Sequence, residues 1–249
     1  MPVARVTLLL LTWLISLSAV ACELPVAVAA NFAAPMTEIS ERFSAQSGCQ
    51  VRSTFAASGQ LYAQIRAGAP YALLLSADQA SVDKLIEDNL AAADTRTHYA
   101  TGRLVLWSRD PAYLNDALSV LRGGTFRHLA LANPRTAPYG LAAKQVLEHL
   151  GLTDALKSRL VEGQSITQAY QFVASGNAEL GFVARSQVTR DGHLLRGSAW
   201  LVPASWHDPL THEAVLLHGQ GNRPEAMALL AFLQSDEARA IIARYGYEP

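Results

Sequence analysis

Charge is scarce in this sequence: 16% of its 249 residues are Asp, Glu, Lys or Arg, with 20 basic side chains against 21 acidic ones. No run of Lys or Arg occurs, so the electrostatic footprint of a nucleic-acid binder is missing. Cysteine is rarer still, at two residues, too few for a scaffold built from disulfides. Catalytic signatures are missing as well. There is no C-x-x-C, Walker A, G-x-G-x-x-G or H-E-x-x-H, and no G-x-S-x-G nucleophile elbow. Those absences leave no motif for thiol redox, nucleoside-triphosphate, dinucleotide, zinc-protease or α/β-hydrolase chemistry.

What the chain has in quantity is apolar residues, half of the total, enough for a sizeable core. The length suits one large domain or two modest ones of ~100–200 residues each. The first 21 residues, "MPVARVTLLLLTWLISLSAVA", combine Arg5, an apolar stretch over 6–17 and the small-residue triplet Ala19-Val20-Ala21. This is the pattern of a secretory signal peptide with an A-x-A cleavage site. A membrane anchor needs ~20 apolar residues and does not end in small ones. Cleavage after Ala21 removes Arg5, leaves 19 basic and 21 acidic residues, and makes Cys22 the first residue of an exported, periplasmic chain. In that disulfide-permissive setting Cys22 and Cys49 each precede an apolar run. If the runs are neighbouring parallel strands, both cysteines lie at one sheet edge, and a Cys22–Cys49 disulfide is expected. The rival is lipidation of Cys22, which a Leu-like residue in place of Ala19 would favour.

Apolar runs then alternate with helical periodicity. "LPVAVAA" (24–30) and "YALLLSAD" (71–78) read as buried strands, and "QVRSTF" (50–55) as the strand between them. The first is followed by a helix over Ala33–Ser47 that Asn31 could cap, the second by a helix entered at Ser58, and the third by Ser76 and Asp78 at a helix start. Three strand-then-helix units predict a parallel, doubly wound sheet. The pattern restarts with strands in "GRLVLWS" (102–108), "HLALANP" (128–134) and "LGFVARS" (180–186). Helices are expected over 141–150 and 169–176, a late strand in "HEAVLLHG", and two closing helices over 224–235 and 237–245. The fresh start near residue 102 predicts a second α/β lobe, with the C-terminal helices returning to the first. The expected division is a signal peptide over 1–21, one lobe from 22–101 and 203–249, and the other from 102–202. In open α/β sheets, ligands sit at the carboxyl ends of strands beside helix N-termini.

At those positions the chain places small, neutral, hydrogen-bonding residues: "AANFAAP", "AASGQ", "TAPYG" and "GQSITQ". The first amides of a helix lack internal partners and the helix dipole makes that end positive. Several such ends facing one cleft would hold an anion without Lys or Arg. Taken singly, Asn31, Ser58 and Ser165 are ordinary N-cap residues, worth ~1 kcal/mol to their helices. The nearest approach to a metal cluster is "WHDPLTHEA", with His207, Asp208, His212 and Glu213. It lacks i, i+4 spacing and contains Pro209, so it reads as a polar loop. A secreted hydrolase using Ser58 is the enzymatic alternative, although no His/Asp partner pattern accompanies that serine. A purely structural adaptor would leave the neutral helix entrances without a common purpose.

"VAVAANFAAPM", "TFAASGQLYAQIRAGAP", "LLSAD", "NPRTAPYGLAA", "QFVASGNAELGFVARSQV" and "IIARYGY" together resemble the periplasmic molybdate-binding family of ABC importers. The resemblance runs over essentially the whole exported chain. It implies two doubly wound α/β lobes with a ligand cleft between them, the type II periplasmic-binding-protein fold. It implies capture of molybdate, and of tungstate, and delivery to a membrane permease, by a monomer without cofactor or catalysis. The alternative within the fold is a receptor for another oxyanion such as sulfate. Carried over position by position, the ligand residues are Asn31, Ser58, Tyr139 and Ile166, with Ala30 contributing backbone. Ile166 would act through its amide only. The chain departs from the family pattern at Ala72, where an acid is common, and at Ala184, where some branches carry a tyrosine ligand. It also has Ala30 in place of a threonine. Tyr139 would replace the hydroxyl missing at 184.

Overall fold

The computed structural model describes residues 22–219 and 224–248; the expected signal peptide over 1–21 lies outside them. Strands β1 (Glu23–Ala29), β2 (Gln50–Ala56), β3 (Leu73–Ser76) and β4 (Thr97–Gly102) alternate with helices α1 (Ala33–Ser47), α2 (Ser58–Arg66) and α3 (Gln79–Glu87). The chain then continues through β5 (Leu104–Ser108), α4 (Ala117–Gly123), β6 (Leu129–Ala132), α5 (Pro138–His149), α6 (Thr153–Leu156) and β7 (Leu160–Gly163). Next come α7 (Ile166–Ser175), β8 (Leu180–Ala184), α8 (Arg185–Val188), the short β9 (Thr189–Arg190) and β10 (His193–Leu194), and β11 (Ser198–Leu201). Strand β12 (Leu210–Leu216) and helices α9 (Pro224–Leu233) and α10 (Asp236–Arg244) complete it.

Two five-stranded sheets result, in the orders β2-β1-β3-β12-β4 and β11-β5-β8-β6-β7. The three strand-then-helix units do pair in parallel, β1 with both β2 and β3. The sheet is nevertheless mixed rather than wholly parallel, because β12 returns from the second lobe and runs antiparallel to β3 and β4. The second sheet is mixed too, with β5 antiparallel to β8 and β11. The run starting at Gly102 divides at Arg103: Gly102 ends one strand and Leu104 starts the next, in a different sheet.

Helices cover both faces of the first sheet, as its continuous apolar strands require. Val26, Val28, Leu73 and Leu75 pack with Met36 and Ile39 of α1, Leu229 of α9 and Ile241 of α10. The alternate residues Ala27, Leu74 and Val215 face Leu61 and Ile65 of α2 and Val82 and Leu85 of α3. Period-two alternation thus sends successive side chains to two separate cores. The second lobe is built around Leu106, Trp107, Leu131, Val146, Val173 and Phe182. Its core extends to Ala29, Ala30, Ala57 and Ala77 of the first lobe. Small side chains at the strand ends let the lobes approach closely.

Cys22 and Cys49 are joined in a disulfide where β1 and β2 begin in parallel register, Glu23 opposite Gln50. Ala72 is buried just before β3, its N–H donating to Pro25 O and its carbonyl accepting from Leu217 N. Ala184, also buried, ends β8.

Candidate functional site

The carboxyl ends of β1, β2 and β3 and the N-termini of α5 and α7 meet around one small cavity. Ala30, Asn31, Ala57, Ser58, Tyr139 and Ile166 all line it, together with other alanines and Pro138. Its cavity volume is ≈ 10 Å³, far below the ~300–1,000 Å³ usual for organic ligands. Among the described residues no Lys, Arg, Asp or Glu lines it. The four expected ligand residues and Ala30 therefore share one enclosed, uncharged space, with two elements of each lobe contributing.

Ser58 is fully buried and occupies the first turn of α2, not its cap. Ala57 is the N-cap, and the capping function passes to Gln60, whose Oε1 accepts the Ala57 N–H at 3.3 Å. Ser58 Oγ accepts the Ala77 N–H at 3.0 Å. A hydroxyl has one proton and two lone pairs, so this bond fixes the oxygen and leaves the O–H to donate. The partner is a backbone amide, not an imidazole or carboxylate, which gives Ser58 none of the activation a nucleophile needs. Ile166 starts α7, with Ser165 as N-cap accepting the Gln168 N–H. The amides of Ser58 and Ile166 thus precede any intrahelical acceptor.

Asn31 also differs from the expected cap. It sits in a single 3₁₀ turn over Ala30–Phe32, and Phe32 caps α1. Its side chain turns instead into a buried polar chain. His212 Nδ1 lies 2.9 Å from Leu210 O; a carbonyl only accepts, so Nδ1 carries the proton and Nε2 is a lone pair. Asn31 Nδ2 donates to that Nε2 at 2.6 Å and to Tyr247 Oη at 2.8 Å. Both amide protons are therefore used within the protein. Burial lowers the His212 pKa to about 3, so the ring is neutral, enclosed by the rings of Tyr99, Tyr139 and Tyr247.

Tyr139, in the first turn of α5, is buried, and among the described residues its hydroxyl has no hydrogen-bond partner of normal geometry, although Tyr247 and Asn31 lie near enough to act on it. Burial raises its pKa well above the ordinary phenol value, and the neighbouring Tyr247 and Tyr99 add to the shift. Gly102 makes room for it: a Cβ there would overlap the Tyr139 hydroxyl and lie 2.7 Å from His212 Cε1. A buried hydroxyl left without a well-formed hydrogen bond costs roughly 1–3 kcal/mol.

The residues of "WHDPLTHEA" do not form a polar loop throughout. His212 and Glu213 are buried in β12 and face opposite sides. Glu213 accepts from Arg96 Nε at 2.7 Å and from Gln79 Nε2 at 2.9 Å. His207 and Asp208 precede the strand, where Asp208 Oδ2 accepts from Gln145 Nε2. Among the described residues no group of three His, Cys, Asp or Glu could hold a metal ion. Sequence reasoning missed Tyr247, His212, Ser186 and Thr167 around the site. Tyr247 lay in the quoted "IIARYGY" and His212 was weighed only as a metal ligand; the two hydroxyls of Ser186 and Thr167 carry no local signal.

Comparison with known proteins gives a consistent answer. The family model described as bacterial extracellular solute-binding protein matches residues 24–248. The chain is 48% identical to the molybdate-binding protein of Azotobacter vinelandii, over 98% of this chain and 97% of that one. It is 44% identical to the molybdate-binding protein of Rhodobacter capsulatus, over 98% and 95%. Among solved structures, the Azotobacter vinelandii periplasmic molybdate-binding protein superimposes with a TM-score of 0.87 at 39% identity, covering 91% of this chain and 99% of that one.

Proposed function

Because the chain belongs to the bacterial extracellular solute-binding proteins, we propose that it captures molybdate between its two lobes and delivers it to the permease of an ABC importer. The observation that carries this reading is the charge-free cavity that Asn31, Ser58, Tyr139 and Ile166 line together at the helix entrances. The 48% and 44% identity to molybdate-binding proteins supports it. Tungstate, nearly the same size and of the same charge, is taken as well. The protein is a receptor rather than an enzyme, and it works as a periplasmic monomer after removal of residues 1–21. Asn31, Ser58, Tyr139 and Ile166 are the ligand residues, with Ala30 contributing backbone. Since both Asn31 amide protons are committed to His212 and Tyr247, Asn31 serves through its backbone.

The lobes comprise 22–101 with 203–249, and 102–202. They pivot where the chain crosses between the sheets, at 100–104 and 200–205. The two crossings run side by side, Arg103 donating to Val202 O at 3.4 Å and Val202 N to Leu104 O at 3.1 Å.

A tetrahedral dianion offers four acceptor oxygens, and each charge-assisted hydrogen bond contributes roughly 1.5–3 kcal/mol. Five or six of them, less ordering and desolvation, give about −8 to −12 kcal/mol, which is micromolar to nanomolar affinity. Sulfate has the same charge and must be rejected by size. Protonated phosphate needs an acceptor, and no carboxylate lines the cavity. A thermal-shift panel of molybdate, tungstate, sulfate and phosphate tests the assignment. Molybdate at 100 times its dissociation constant stabilises by about 2.7 kcal/mol; an equal response to sulfate would refute the specificity, and no response to either metal oxyanion the whole reading.

A further inference from the structure

The turn that carries Ala30 and Asn31 belongs to the first lobe, yet two hydroxyls of the second lobe hold its carbonyls. Thr167 Oγ1, one residue beyond Ile166 in α7, donates to Ala30 O at 3.3 Å. Ser186 Oγ, in α8 after β8, donates to Asn31 O at 2.9 Å. The second bond is buried, Ser186 being only 5% exposed. It is reinforced from the first lobe by Tyr247, whose hydroxyl lies 2.9 Å from Asn31 O and 3.1 Å from Ser186 Oγ. The Tyr247 proton has two acceptors within reach, and the Ser186 proton takes the second lone pair of the Asn31 carbonyl.

Tyr247 is held in turn by its backbone neighbour. Glu248 pairs with Thr101 in both directions, at 2.8 and 2.9 Å, and its carboxylate accepts from Arg103 Nη1 at 2.6 Å. The C-terminal segment is thus fixed on both sides of Gly102, where the chain leaves the first sheet. Each of these carbonyls keeps a donor from its own lobe, the Ala33 N–H on Ala30 O and the Tyr247 hydroxyl on Asn31 O, and takes a second one only while the lobes are together. Opening them exchanges these bonds for water on a turn that itself lines the cavity.

We propose that Thr167 and Ser186 are positioning residues of the anion site, forming an interlobe latch that holds the Ala30–Asn31 turn in its closed geometry. They do not touch the anion; they act through the backbone of residues 30 and 31. This rests on the molybdate reading above. A latch made after the anion has entered slows its escape and leaves its arrival unchanged.

Stopped-flow tryptophan fluorescence and calorimetry with molybdate on the mature chain test this, using Thr167→Val, Ser186→Ala and the double variant. Each single variant is expected to weaken molybdate binding about 3- to 10-fold, the yield of one neutral hydrogen bond, through faster dissociation at an unchanged association rate. Thr167→Ser, which keeps the hydroxyl, restores the wild-type dissociation rate. The melting temperature of the molybdate-free variants stays at the wild-type value. Dissociation rates equal to wild type in both single variants overturn the latch, as does a lowered melting temperature with unchanged affinity, which marks a structural role only. Val in place of Thr167 is nearly isosteric on a partly exposed site, so that arm decides even if Ser186→Ala folds poorly. A wild-type protein that ignores molybdate altogether fails the functional reading instead, which separates the two outcomes.

Discussion

Replacing Tyr139 by Phe removes one oxygen and little else, and under the proposed function that oxygen has opposite roles in stability and in binding. In the protein alone the hydroxyl is buried and, among the described residues, has no partner of normal hydrogen-bond geometry. A buried group of that kind costs roughly 1–3 kcal/mol, so the ligand-free variant is expected to be as stable as the parent or more so. At about 2–4 °C per kcal/mol for a chain of this size, the melting temperature should hold or rise by a few degrees. As a proposed ligand residue, Tyr139 would give the bound anion a charge-assisted hydrogen bond worth roughly 1.5–3 kcal/mol. Its loss should raise the molybdate dissociation constant about 10- to 150-fold, since each 1.36 kcal/mol is a factor of ten. Thermal scans without anion and titration calorimetry with it measure the two quantities independently. An unchanged dissociation constant refutes the role of Tyr139 as ligand. A melting temperature several degrees lower without anion refutes the claim that its hydroxyl is unpaired.

Three further perturbations have definite outcomes. Gly59→Val should weaken anion binding about 5- to 150-fold by calorimetry while the ligand-free melting point holds, because a Cβ there comes within 3.0 Å of Thr136 O across the cleft and such overpacking costs about 1–3 kcal/mol. Reducing the Cys22–Cys49 disulfide, which closes a separation of 27 residues, frees chain entropy worth about 3–4 kcal/mol; scanning calorimetry should show a fall of roughly 6–16 °C. His212 titrates near 3 in the folded protein against 6.5 ordinarily, so the unfolded chain takes up its proton first as pH falls. Its contribution to stability is complete above pH 6.5 and declines toward pH 3 by up to about 1.4 kcal/mol per pH unit. Urea unfolding at pH 7 and 5 should therefore show a smaller pH dependence in His212→Gln than in the parent.

Much of this arrangement was legible in the residues. Continuous apolar runs such as "LPVAVAA" and "YALLLSAD" can only be buried on both faces, and that alone predicted sheets covered by helices on two sides. The helix over Ala33–Ser47 was bounded by its own periodicity and by Gly48, which adopts a left-handed conformation. Direction was less visible: a β12 strand reads the same whether it enters parallel or antiparallel, and only its return from the second lobe decides. Capping was read one residue out at Ser58 and displaced at Asn31. A small polar residue before a helix signals a cap locally, whereas tertiary partners, Ala77 N–H in one case and His212 with Tyr247 in the other, claimed both side chains. The hydroxyls of Thr167 and Ser186 were invisible because their meaning depends on contacts 137 and 155 positions away.

The interleaving of β12 between β3 and β4 also dictates an order of assembly. The second sheet draws on one uninterrupted stretch, 104–201, so everything it pairs with is at hand once that stretch is available. The first sheet has a gap in its middle until residues 210–216 arrive. A chain emerging from its N-terminus therefore presents residues 22–102 long before they can close into a sheet. One lobe matures from contiguous parts while the other waits for the tail. Because the cavity draws on both, the ability to hold an anion is the last property this molecule acquires, and it depends on the final forty residues as much as on the pocket itself.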